Sequence, residues 1–148
     1  MILGPKEIQQ IIPHRWPFLF VDKITELEPG IRAVGFKCFT STDFYFPGHF
    51  PEFPVVPGVL IAESLAQVGA VALLSMPQNK GKIVFFAGMD GFRFRKPVFP
   101  GDCIKLEVIL DKMRESFGKG TVKATINDTV VANGELKFAI QTPESLKE

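Results

Sequence analysis

The sequence predicts an α+β domain in which one long apolar helix lies against a curved antiparallel sheet. Three observations predict it. Residues 58–76 carry apolar side chains on every face of a helix. From residue 83 onward the apolar period changes to two, the strand period. Short turns at 114–116 and 127–128 then imply antiparallel neighbours. A chain of 148 residues fits one domain, 1–148, with a sizeable core.

Each element follows from local chemistry. Residues 5–12 suit a short helix that stops near Pro13. Residues 18–27 are rich in strand formers and end at Glu28-Pro29-Gly30, a turn signal; residues 31–40 read as the hairpin partner. A stiff loop follows with Pro47, Pro51, Pro54 and Pro57. Pro57 stands where a helix admits proline, at its entrance, and Pro77 marks the end. Nineteen residues would span roughly 28 Å. Residues 83–89, 92–96, 102–113, 117–126 and 130–140 read as strands, giving a sheet of five to seven. The clearest places Ile104, Leu106, Val108 and Leu110 on one face and Lys105, Glu107 and Asp111 on the other. Gly120 and Gly134 mark bulges or close backbone contacts. Residues 143–148 read as a polar tail. A single sheet covers one side of an all-apolar helix, so a second copy of the chain is expected on the other, making a homodimer.

Composition narrows the function classes. With 46% apolar and 22% charged residues, the chain is that of a soluble globular protein. A net charge of +1 provides no general field for nucleic acid or an anionic membrane. The 15 phenylalanines against one tyrosine and one tryptophan point to a dry core, a lined pocket or a buried subunit contact. Two histidines make a His-rich metal site improbable, and no metal is expected. Cys38 and Cys103 lack metal or redox spacing and are expected as reduced, buried thiols. Neither a secretory leader nor a spanning segment is visible, so a cytoplasmic protein is expected.

The chemistry concentrates between residues 46 and 67, F-P-G-H-F-P-E-F-P-V-V-P-G-V-L-I-A-E-S-L-A-Q. Glu63 falls in the second turn of the apolar helix, where burial should raise its pKa and a carboxyl kept protonated can act as a general acid; the alternative is a glutamate that faces solvent or pairs with a lysine. Gln67, one turn on, can hydrogen-bond it and is a candidate for binding substrate. His49 sits on the proline-stiffened loop, either as a base whose positioning entropy is already spent or as a histidine that only makes loop hydrogen bonds. Gly58 opens the helix, so its N–H can polarise a carbonyl oxygen as negative charge develops there. Base, acid and oxyanion donor suit proton abstraction beside a carbonyl with loss or gain of a β-hydroxyl.

Four segments also carry a resemblance. H-R-W-P-F-L-F-V-D (14–22), F-P-G-H-F-P (46–51), P-V-V-P-G-V-L-I-A-E-S-L-A-Q (54–67) and F-R-F-R-K-P-V-F-P-G-D (92–102) closely resemble the bacterial (3R)-hydroxyacyl-[acyl-carrier-protein] dehydratases of type II fatty acid synthesis. The resemblance covers nearly the whole chain. It implies a hot-dog fold, a homodimer with two sites at its interface, and three dimers per hexamer. It places the catalytic histidine on His49 and the catalytic glutamate on Glu63, from opposite subunits, with the oxyanion donor on Gly58. It implies dehydration of (3R)-3-hydroxyacyl thioesters to trans-2-enoyl products, the substrate carried on the phosphopantetheine of acyl carrier protein, with no other cofactor. Trp16 departs from the family's tyrosine, which touches local packing alone. Glu63, where the related dehydratase-isomerases carry aspartate, favours plain dehydration.

The remaining candidates are weighed against blander roles. His14 is expected to tie down the segment after it together with Arg15 and Asp22. Arg93, Arg95 and Lys96 are candidates for docking the acidic carrier protein, or form a solvated strand face. Phe44, Phe46, Phe50, Phe53, Phe85, Phe86 and Phe92 are candidates for an acyl tunnel, some of them simply core. The rival functions are a hot-dog thioesterase, a hydratase of coenzyme A thioesters, and a non-catalytic acyl-binding module.

Overall fold

The computed structural model describes residues 2–147. Helix α1 (Pro5–Ile11) starts with Pro at its first position, and Glu7 reaches back to accept the Gly4 N–H at 3.0 Å. Its buried Ile8 faces the core. Strands β1 (Lys23–Glu28) and β2 (Arg32–Cys38) form the expected hairpin. Gly30 turns it at φ +76°, a conformation open to glycine at little cost. The strand starts later than the sequence suggests, because residues 18–20 are bonded to a side chain of the central helix instead of to a neighbouring strand.

That helix is α2 (Gly58–Leu74). Residues 61–74 are all buried except Glu63. Gly69 lets the helix backbone approach β6, since a Cβ there would lie 2.7 Å from the Phe138 ring. The buried Asn79 side chain donates to the Leu73 carbonyl at 2.9 Å, satisfying one of the carbonyls left open at the helix end. The core is formed by Leu65, Leu73, Ile104, Leu106, Leu136 and Phe138, each essentially inaccessible. Burial of each such side chain contributes about 1.5–3 kcal/mol. The expectation that one chain leaves a whole helix side uncovered is corrected here. One chain's sheet and loops enclose α2 from Ile61 on, and only Gly58, Val59, Leu60 and Glu63 are not fully buried.

The sheet has six antiparallel strands in the order β1-β2-β4-β5-β6-β3, with β4 (Cys103–Leu110), β5 (Phe117–Ile126) and β6 (Thr129–Gln141) as expected. Two expected strands, 83–89 and 92–96, are one: β3 (Ile83–Phe94) continues through irregularities at Phe86/Gly88 and Asp90/Arg93. Gly91, at φ +55°, carries the chain through the second. Gly134 stands opposite, where a Cβ would come 2.7 Å from the Phe92 Cα. Asn127 and Asp128, both at positive φ, close β5 onto β6 as a two-residue hairpin loop. The tail holds a short 3₁₀ turn, Pro143–Lys147. A sheet packed around one central helix is the hot-dog arrangement.

The cysteines overturn their expectation. Cys38 and Cys103 are directly paired across β2 and β4 and form a disulfide, with Cα atoms 3.9 Å apart and Cys103 exposed. The Cys38 N–H points away from β4, to the Asp22 carboxylate at 2.6 Å. That is the geometry of a pair without ladder hydrogen bonds, where side chains of neighbouring strands approach most closely. No helix among the described residues is long and apolar enough to cross a membrane.

Candidate active site

Glu63 projects from the second turn of α2 into a cavity of about 350 Å³ lined by Pro13, His14, Phe18, Phe85 and Phe86, with Gln67 on its helical side. Burial raises the carboxyl pKa from its ordinary value, and the hydrogen bond from Gln67 opposes part of that rise. Gln67 Nε2 donates to Glu63 Oε2 at 2.9 Å and to the Phe18 carbonyl at 2.9 Å, while its Oε1 accepts the Phe20 N–H at 2.8 Å. Both amide hydrogens are therefore committed within the protein. The i, i+4 spacing puts the acid and its orienting amide on one face.

His14 is not where the sequence reading placed it. Its imidazole bonds neither Arg15 nor Asp22; its Nε2 faces Glu63 Oε2 at 3.8 Å. Asp22 instead accepts the Cys38 N–H and pairs with Lys37. Arg15 does hold the segment, donating to the carbonyls of Gln9, Ile12 and His14. Burial, with the Arg15 charge adding to it, lowers the His14 pKa and keeps the ring neutral. The signal for this contact lay in Gln67, whose amide brings the 14–20 segment over the acid.

His49 follows a one-turn 3₁₀ helix (Phe46–Gly48), and its Nδ1 lies 2.9 Å from the Val55 carbonyl. A carbonyl can only accept, so Nδ1 carries the proton and Nε2 keeps a free lone pair, the form a general base requires. The Val55 N–H returns a bond to the His49 carbonyl at 3.0 Å, and the Phe50 ring stacks on the imidazole with centroids 4.2 Å apart. Among the described residues no hydrogen bond or ion pair joins His49 to Glu63. His49 is not among the residues lining the Glu63 cavity of its own chain.

Gly58 begins α2 in a second groove of about 440 Å³, with Val59, Phe94, Arg95, Lys96 and Pro97. A Cβ at position 58 would stand 2.9 Å from the Phe94 ring, so glycine keeps the groove open beside the helix N-terminus. The Val56 N–H bonds the Val98 carbonyl at 2.8 Å and fixes one wall to the other. Two of the three docking candidates, Arg95 and Lys96, line this groove; Arg93 lies outside it.

The phenylalanines divide. Phe85 and Phe86 wall the Glu63 cavity, joined by Phe18, which the sequence reading had not singled out. Phe46 is buried in the core, and Phe92 packs on Phe94 and Gly134. Phe50 and Phe53 are exposed on the His49 loop. A wider groove of about 860 Å³ at Met113 and Phe117 holds none of the candidate residues.

The model of the FabA-like domain family matches residues 12–135. The 3-hydroxyacyl-[acyl-carrier-protein] dehydratase FabZ of Roseiflexus castenholzii is 61% identical over 139 residues, 94% of this chain and 97% of the relative. The FabZ dehydratase of Herpetosiphon aurantiacus is 60% identical over 139 residues, 94% of this chain and 99% of that protein. A solved chain of the dehydratase heterocomplex ApeI:P from Xenorhabdus doucetiae has the same fold, with a TM-score of 0.81 at 15% identity, covering 95% of this chain and 94% of that one. The chain therefore belongs to the FabA-like family, among the FabZ-type 3-hydroxyacyl-[acyl-carrier-protein] dehydratases.

Proposed function

We propose that this enzyme dehydrates (3R)-3-hydroxyacyl-[acyl-carrier-protein] to the trans-2-enoyl thioester, with His49, Glu63 and Gly58 doing the chemistry. His49 Nε2 takes the proton from Cα, and the Gly58 N–H stabilises the negative charge that builds on the thioester oxygen. The electron pair forms the Cα–Cβ double bond, and the Cβ–O bond breaks as Glu63 gives its proton to the departing hydroxyl, which leaves as water. His49 is then cationic and Glu63 anionic, and proton return through the departing water or solvent resets both. The observation that carries this reading is Glu63: a carboxyl whose pKa burial raises, in a cavity walled by phenylalanines. The reaction so written uses no metal and no cofactor beyond the substrate's phosphopantetheine arm.

The same reading makes the protein a homodimer, with His49 of one copy meeting Glu63 of the other, and three dimers forming a hexamer. Two features support it. His49 does not line the Glu63 cavity of its own chain, and β3 is an edge strand with exposed Phe85, Met89 and Phe94. Arg95 and Lys96, beside Gly58, suit an acidic carrier protein, with Arg93 further along the strand. The protein is placed with a soluble carrier in the cytoplasm.

Appearance of the conjugated enoyl thioester, followed by absorbance with carrier-bound 3-hydroxyacyl substrates, tests the activity. Folded His49→Ala and Glu63→Gln variants that keep most of their turnover would overturn the assignment. Release of free thiol from the same substrates would mark a thioesterase instead.

A further inference from the structure

We propose that His14 is the second polar contact of the leaving group, its Nε2–H and the Glu63 carboxyl together holding the 3-hydroxyl of the substrate. This rests on the reading of Glu63 as the acid. The separation of 3.8 Å between His14 Nε2 and Glu63 Oε2 is too long for a hydrogen bond between them. It is the separation at which one oxygen, about 2.8 Å from each, bonds both. Both groups line the same apolar cavity, and the other lining residues are Pro, Phe, Ala, Ile, Val and the already committed Gln67.

The proton on His14 can be placed from its partners. Nδ1 is buried and has no hydrogen-bond partner among the described residues. An N–H there would be buried without an acceptor, so a neutral ring carries its proton on Nε2, toward Glu63. The charged groups facing the ring are Glu63 from α2 and Arg15 from its own segment. A neutral ring matters chemically, because an imidazolium at this distance would favour the carboxylate and abolish the acid. As the Cβ–O bond lengthens, Nε2–H steadies the charge growing on oxygen while Glu63 delivers the proton.

The placement is also fixed in advance. Arg15 binds three carbonyls around His14, at 2.7–3.0 Å, and the Gln67 amide clamps residues 18–20 behind it. Because Gln67 has no free N–H, recognition of the hydroxyl as an acceptor falls to His14 rather than to Gln67, the substrate-binding candidate of the sequence.

Hydroxyl selectivity provides the test. The affinity of a carrier-bound 3-hydroxyacyl chain is compared with that of the saturated acyl chain of equal length, by competition in the enoyl assay and by direct binding. His14→Leu is expected to lower kcat/KM for dehydration about ten- to a hundredfold. It should leave saturated-chain affinity within about twofold, since apolar packing does not read a hydroxyl. His14→Gln, which keeps a donor, should recover part of the loss. Should the leucine variant not fold, His14→Ala, which also lacks a donor, gives the same readout. Equal loss for both ligands, or no loss for either, overturns the proposal. Glu63→Gln, measured in parallel by binding, should lose turnover while His14 still prefers the hydroxylated chain; full turnover in that variant would instead overturn the acid assignment and leave the selectivity result standing.

Discussion

Gln67 Nε2 lies 2.9 Å from Glu63 Oε2, and this amide joins the acid to the segment that carries His14. Replacing it with an isosteric apolar residue tests both roles. Gln67→Leu leaves the Phe18 carbonyl and Phe20 N–H unpaired in a buried setting, which should cost about 2–4 kcal/mol of stability. It also removes the one bond that holds the Glu63 pKa down, so that pKa should rise further and the alkaline limb of kcat should move to higher pH. Denaturant unfolding and a pH–rate profile measure the two effects. An unchanged alkaline limb would contradict the role of Gln67 on the acid.

Burial of Glu63 has a cost that depends on pH. Its folded-state pKa is raised, so between the ordinary carboxyl range and the raised value the unfolded chain has lost its proton while the folded one keeps it. Stability therefore falls as pH rises through that window and stays reduced above it. His14, with a lowered pKa, acts at the other end: stability is lost as pH falls below the ordinary histidine range. Glu63→Gln removes only the first effect. Its stability relative to the natural protein should improve as pH rises above the ordinary carboxyl range and level off above the raised folded-state pKa, while dehydration falls about a hundredfold or more. Unfolding midpoints across that range decide it; a difference that is flat with pH would refute the buried, protonated acid.

The long helix, its proline entrance and the alternating strands were legible because each is written in local periodicity. So were Glu63 and His49, one a lone carboxylate in an apolar helix and the other pinned by prolines. What was not legible depends on distant pairings. His14 reaches Glu63 through an amide 53 positions along the chain, bonded to Phe18, and no local pattern encodes that bond. Cys38 and Cys103 meet because β2 lies beside β4, a neighbour relation set by the sheet order and not by cysteine spacing. Asp90-Gly91 reads as a break, yet the sheet absorbs it as an irregularity within β3.

The disulfide should act on stability more than on chemistry. It joins residues 65 apart in sequence, and a link of that span restricts the unfolded chain by up to about 4 kcal/mol. Cys38 and Cys103 touch neither the Glu63 cavity nor the Gly58 groove. Reduction, or a Cys38→Ser and Cys103→Ser double change, should lower the unfolding midpoint while kcat stays within about twofold. Thiol titration before and after unfolding verifies the bond. Two reactive thiols in the unreduced, unfolded protein would rule it out.

Gly58 tests the oxyanion donor without deleting it. The N–H belongs to the backbone, so side-chain changes act through space alone. An alanine Cβ would stand 2.9 Å from the Phe94 ring, which must shift, and it would narrow the groove where the thioester oxygen is to sit. Gly58→Ala should fold, since alanine suits a helix better than glycine by about 0.5–1 kcal/mol. Its kcat should fall about tenfold or more with a smaller change in KM, because the lost interaction strengthens in the transition state. A rise in KM alone would place Gly58 in substrate binding and not in oxyanion stabilisation.

The proposed sharing of each site between two copies predicts a result that no single variant can mimic. His49→Ala and Glu63→Gln proteins should each be nearly inactive. When the two are unfolded together in equal amounts and refolded, half of the dimers pair unlike chains. In each of these, the intact His49 of one copy meets the intact Glu63 of the other at one interface site, while the second site carries both changes. About a quarter of the natural activity should return. If instead both residues acted within one chain, every site would contain a change and mixing would restore nothing. Edge strand β3, where Phe85 and Met89 are 40% and 44% exposed, is the surface that pairing should cover. A Met89→Lys change on that edge should weaken association, and complementation should fall in proportion to the dimer fraction measured by sedimentation.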